Sequence, residues 1–186
     1  HPAIAPPVMA RRPPAPSVVP VAGAPLPAGA VLLGDDGRIA AVGPAHAVPT
    51  PPGTAQESFS GCTIIPGLVN AHTHLELTGL EGSIAADDFA DWIRQLRERK
   101  AARTPTDLLA AARRGLADCH AAGVTTVADT GDSGAVIQAL AEAGGSGVAY
   151  QEVFGPHPDQ MQSSLDWLED RVSALRRFES ARVRLG

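Results

Sequence analysis

Two kinds of hydrophobic pattern divide the chain. Up to about residue 61 the apolar positions fall in short runs broken by proline and glycine, without a helical period. Two such runs, Ala30-Val31-Leu32-Leu33 and Ile39-Ala40-Ala41-Val42, flank Asp36-Gly37. An Asp-Gly pair between apolar runs predicts a β-hairpin. Pro49, Pro51 and Pro52 follow as a connection, so residues 1–61 are expected to form a small β unit without helices.

From residue 62 the pattern changes. Residues 62–74 predict a buried strand that runs into a polar stretch. Phe89, Trp92, Ile93 and Leu96 recur at helical spacing behind the capping acids Asp87 and Asp88. Thr104-Pro105-Thr106-Asp107 has the form of a helix start, with an apolar stripe at Leu109, Ala112, Leu116 and Cys119 and a stop at Gly123. Residues 124–129 predict a strand. Ser133 is expected to cap a helix carrying Val136, Ile137 and Leu140, and residues 148–154 predict the next strand. Leu165, Leu168, Val172 and Leu175 stripe a further helix before a strand at 183–185. The order β, α, α, β, α, β, α, β argues for βα units around a parallel sheet, an α/β fold.

Composition narrows the function classes. The 186 residues are 44% hydrophobic and 19% charged, with net charge −5 and pI near 5.6. That balance gives no electrostatic reason to expect nucleic acid or an anionic membrane as partner. No apolar run approaches the roughly 20 residues of a membrane-spanning helix. Prolines follow Arg11 and Arg12 where a secretory signal needs an apolar helix, so no targeting segment is expected. Two cysteines, Cys62 and Cys119, are too few for a disulfide framework, and a cytoplasmic location is expected. There are 14 arginines but a single lysine, Lys100. A start at His1 and a strand-like end at residues 182–186 are expected of a piece of a longer chain.

The candidate chemistry lies at the end of the strand at 62–74. Residues two apart on a strand share a face, so Asn70, His72, His74 and Glu76 are expected on one side. Two imidazoles so placed can reach one divalent ion if further ligands come from elsewhere, and a bound water then ionises near neutral pH. In a chain with six histidines a His-x-His pair also arises by chance. Its place at the carboxyl end of the strand that opens a βα series is what points to chemistry. Asp129 and Glu152 end the next two strands. Either acid could hold a substrate amine, although Asp129 is equally suited to capping the turn that follows, and Glu152 is favoured. Cys119 reads as core, and His46 and His157 as loop residues beside prolines.

The stretch Pro66-Gly67-Leu68-Val69-Asn70-Ala71-His72-Thr73-His74-Leu75-Glu76 closely resembles the metal-site strand of the metal-dependent amidohydrolase superfamily. It is most similar to the aminohydrolase branch, with its triazine chlorohydrolase, cytosine or guanine deaminase and aminodeoxyfutalosine deaminase types. Gly37-Arg38-Ile39-Ala40-Ala41-Val42-Gly43 resembles that family's N-terminal hairpin, and residues 123–130 resemble its second barrel strand.

The resemblance implies a (β/α)8 TIM barrel preceded by a small β-sandwich. Residues 1–61 would be part of the sandwich, and residues 62–186 the first half of the barrel, strands one to four. It implies one divalent metal ion, Zn2+ or Fe2+, with His72 and His74 as two of its ligands. The family's further ligands, on strands five, six and eight, have no match in this sequence. Glu76 is expected to contact substrate, although the family acid stands three residues after the second histidine rather than two. Glu152 is the other expected substrate contact. Lys100 falls on a helix and does not match the carbamylated strand lysine of two-metal relatives. The implied activity is deamination of an aminated heterocycle or nucleoside-like small molecule by metal-activated water. A truncated or degenerate half-barrel without activity, and a hydrolase of a cyclic amide or chlorinated ring, are the alternative readings. The 186 residues alone are expected to be inactive.

Overall fold

The hairpin around Asp36-Gly37 forms the spine of the first of two units, His1–Pro66 and Gly67–Gly186. A computed structural model describes residues 10–154 and 157–186. In the first unit the strands are β1 (Arg11–Arg12), β2 (Pro14–Val18), β3 (Leu26–Leu33), β4 (Ile39–Pro44), β5 (Ala55–Gln56) and β6 (Thr63–Ile64). β3 pairs antiparallel with β1, β2 and β4, while β5 and β6 extend the sheet in parallel. Gly37 takes the left-handed φ of +73° that the turn requires. Ala30, Leu32 and Val48 form a small core.

The second unit begins with β7 (Leu68–Thr73), followed by a single 3-10 turn at Leu75–Leu77. Then come α1 (Phe89–Ala101), α2 (Pro105–Ala121), β8 (Val124–Gly131), α3 (Ala135–Glu142), β9 (Gly147–Gln151), α4 (Met161–Leu175) and β10 (Val183–Leu185). The four strands make a parallel sheet in chain order, β7-β8-β9-β10. Thr104 and Asp107 form the expected capping box at the head of α2, and Asp88 accepts the Asp91 N–H at the head of α1. Ile137 and Leu140 of α3 are fully buried against Val127, Val183, Leu116 and Leu175. No helix among the described residues is long and apolar enough to cross a membrane.

Five local expectations change. The strand predicted over 62–74 is split, because Thr63–Ile64 joins the first unit's sheet and Pro66 has no N–H to continue a ladder. β7 starts where the Leu68 N–H meets the Gly123 carbonyl at 2.9 Å. Gly67 passes so close to β8 that a Cβ on it would lie 2.3 Å from the Thr125 side chain. Nor is β7 buried: Val69 is 65% exposed, since this strand has a sheet neighbour on one side only among the described residues.

Helix α3 starts one residue later than expected, with Gly134 as cap at φ +72°. Ser133 still accepts the Ala135 N–H at 3.1 Å. β9 ends three residues early because β8, its partner, ends at Gly131. On α1 no residue is buried; Phe89 is 75% exposed and stacks on Trp92. Polar contacts, described below, tie its C-terminal end down instead.

Candidate active site

Against β8, the register of β7 shifts between Leu68 and Val69 and again between Asn70 and Thr73, and Thr73 is its one buried residue. Thr73 points into the buried layer under the helices, and His72 is exposed on the opposite, open side of the sheet. His74, one residue past the strand, is exposed as well, and the two imidazoles stand edge to face with centroids 4.9 Å apart. The His74 Nδ1 lies 2.6 Å from the carbonyl oxygen of Thr130 in β8. A carbonyl can only accept, so Nδ1 carries the hydrogen and Nε2 keeps its lone pair. That arrangement suits a neutral imidazole ligand whose far nitrogen is held by the protein. Among the described residues no third His, Cys, Asp or Glu joins the pair to form a metal-holding cluster. The donor set therefore fits two ligands of one ion.

Behind the pair stands Asp129, 1% exposed. β8 turns Val127, Asp129 and Gly131 toward the helices, so this acid does not face the open side. Its Oδ2 accepts the Thr73 hydroxyl and the Leu75 N–H, each at 2.7 Å. Burial pushes its carboxyl up to about 6, opposed by the bonds from Leu75 and Thr73 and reinforced by the nearby charge of Glu76.

A folded-state value above the ordinary carboxylate range makes a stabilising contribution that is complete below about pH 4 and lost as pH rises through about 6. Relative to Asp129→Asn, the metal-free wild type is expected to lose on the order of 3 kcal/mol between pH 4 and pH 7. Unfolding midpoints of the two proteins across that range measure it. Parallel curves would remove the cause.

Glu76 departs from the expected shared face. The strand stops at Thr73, and in the 3-10 turn successive side chains step by about 120° rather than 180°. Glu76 is thereby rotated into the interior, where it is 1% exposed. Lys100 of α1 donates to its Oε1 and Ser133 to its Oε2, while Arg103 donates to its backbone oxygen at 3.1 Å. A Cβ on Gly131 would meet the carboxylate at 2.9 Å, so glycine there leaves room for it. Lys100 also pairs with Asp132. Burial disfavours the ammonium, but the bonds to Asp132 and Glu76 outweigh it and raise the lysine above its usual value. The one cue to this knot in the sequence is that Lys100 is its solitary lysine.

Glu152 follows β9 directly. Its N–H bonds the Gly131 carbonyl at 2.9 Å and its side chain is half-buried, next to an exposed Tyr150. Cys119 packs against the core, as expected, and burial pushes its thiol up.

Residues 63–179 match the sequence profile of the amidohydrolase family. A 5-methylthioadenosine/S-adenosylhomocysteine deaminase of Halobacterium salinarum is 33% identical over 149 residues, 79% of this chain and 33% of that protein. An aminodeoxyfutalosine deaminase of Deinococcus radiodurans is 31% identical over 172 residues, 88% of this chain and 38% of its own length. The chain thus spans about a third of the curated relatives it matches. Among solved structures, the zinc-bound adenosine deaminase of Xanthomonas campestris superposes with TM-score 0.76 at 23% identity, over 95% of this chain and 42% of that one. The fold is that of the N-terminal part of these barrel proteins.

Proposed function

The chain belongs to the amidohydrolase family, and on that premise we propose that its residues 67–186 supply the first four strands of a (β/α)8 barrel, preceded by part of a β-sandwich, in an enzyme that deaminates a small aminated heterocycle or nucleoside-like molecule. The observation that supports this most directly is the pairing of His72 with His74 on the open side of the sheet, the latter held as an Nδ1–H tautomer by Thr130. Both stand at the carboxyl end of β7, the end at which α/β barrels place their chemistry.

His72 and His74 would hold one Zn2+ or Fe2+ together with ligands from outside these residues. When bound, such an ion lowers the pKa of its water toward about 7, which makes hydroxide available for attack on a carbon bearing an amino group. The Thr130 carbonyl keeps the His74 Nε2 free to act as ligand. Glu152, at the end of β9, is the acid placed to meet a substrate amine. Glu76 is not, because both its oxygens are engaged in the interior.

The test uses the natural polypeptide that carries these residues. Ammonia release is measured on aminopurines, aminopyrimidines and their nucleosides, beside a cyclic amide and a chlorinated triazine. Chelation is expected to abolish turnover, and Zn2+ or Fe2+ to restore it. Turnover confined to the amide or the chlorinated ring would replace deamination with the corresponding hydrolysis. Metal-loaded protein inactive on the whole panel would leave the non-enzymatic half-barrel standing.

A further inference from the structure

We propose that Asp129 is a positioning residue for His74, fixing from the buried side of the sheet the orientation of this one imidazole, and through it the bond to Thr130 that selects its tautomer. The inference deepens the metal reading above and rests on it for its functional meaning.

The geometry is a clamp on three consecutive residues. A single oxygen of Asp129 accepts the Thr73 hydroxyl and the Leu75 N–H, each at 2.7 Å, and these are the two neighbours of His74 in the chain. The residue after Asp129, Thr130, accepts the His74 ring at 2.6 Å through its backbone oxygen. Residues 73, 74 and 75 are thus each tied to the dipeptide 129–130.

The clamp acts at the junction of two elements. β7 has ended at Thr73, the 3-10 turn begins at Leu75, and His74 lies between them at φ −134°, ψ 67° with no side-chain cap. Ladder bonds therefore do not set the direction of its Cα–Cβ bond. Asp129, holding the residues before and after it, sets that direction together with the 2.9 Å bond from the Leu77 N–H to the His74 carbonyl.

Because Asp129 is buried on the helix side, it cannot touch a substrate on the open side and acts only through His74. A carboxylate suits the place because one of its oxygens can accept two bonds at once. Partners of this kind in metal sites alter affinity by roughly 10- to 100-fold when removed.

The experiment follows the ring nitrogens of His74 by 15N NMR in the metal-free natural polypeptide, at a pH where imidazoles are neutral. Zinc affinity by chelator competition is measured in parallel. Wild type and Thr73→Ser, which keeps the hydroxyl, are expected to show a single Nδ1–H tautomer. Thr73→Val and Asp129→Ala are expected to shift His74 toward the mixture of a free imidazole and to bind zinc roughly 10- to 100-fold more weakly.

An unchanged ring signature in the soluble variants overturns the proposal. If Asp129→Ala does not fold, Thr73→Val decides alone. A changed ring with wild-type zinc affinity, while His74→Ala loses zinc, overturns it too. Should His74→Ala bind zinc like the wild type, the metal reading falls, and the ring signature still judges the positioning.

Discussion

Alanine at position 72 or 74 is expected to strip the natural polypeptide of its metal and to reduce ammonia release by at least about 100-fold. A catalytic zinc site usually has three protein ligands, so one lost imidazole removes a third of the protein's hold on the ion. The two variants are not expected to be unstable. Both side chains are exposed, and neither packs in the core around Ile137 and Leu140. Metal content by elemental analysis, read beside the unfolding midpoint, separates loss of a ligand from loss of fold. Full metal stoichiometry with undiminished turnover in both variants would remove the pair from the site. His74→Ala also frees the Thr130 carbonyl, so it is expected to be the more damaging of the two.

Glu76→Ala is expected to have the opposite profile, a large loss of stability. Removing one member of a buried ion pair leaves the other charge uncompensated, at a typical cost of about 3–5 kcal/mol. Here Lys100 keeps Asp132 as a second partner, which places the expected cost near the lower end, about 3 kcal/mol. For a protein of this size that is a fall of roughly 10 °C in Tm. Pairing the change with Lys100→Met should recover part of the loss, because the orphaned ammonium is then gone. A substrate contact would behave otherwise, lowering kcat/KM with the unfolding midpoint unchanged. Thermal unfolding together with steady-state kinetics of Glu76→Ala and Glu76→Gln decides between these roles.

The contrast between the two sites shows what periodicity can reveal. The helices and strands of the second unit are legible because most carry their own stripe or stop: the Thr104–Asp107 box, the run at Leu109, Ala112 and Leu116, Gly123 after α2 and Gly144 after α3. His72 lies inside a strand, and its exposure agrees with the expected period of two even though the register against β8 shifts between Asn70 and Thr73. Glu76 lies three residues beyond the strand's end, and nothing local announces that the pleat gives way to a 3-10 turn. The Lys100 partnership was still less accessible. It joins residues 24 apart through a helix whose apolar face suggested that its own packing would hold it in place. Asp129 was ambiguous for a related reason. Whether an acid at a strand's end faces the lumen or the helices depends on the register of β8 against its neighbours, a property of the sheet rather than of the segment.

Register also gives the close approach at Gly67 a meaning beyond packing. The missing Cβ and the Leu68 bond to Gly123 mark where β7 first meets β8, before the register shifts after Leu68 and again ahead of Thr73. Because side chains alternate with a period of two, a slip of one place would turn Ala71 and Thr73 to the open side and send both imidazoles into the helix layer. The Thr73 hydroxyl would leave Asp129 in the same movement. A glycine five residues before His72 thus sets how closely the strand of the imidazole pair can approach its neighbour. A larger residue there is expected to push β7 off Thr125, loosening from its start the strand on which both imidazoles depend.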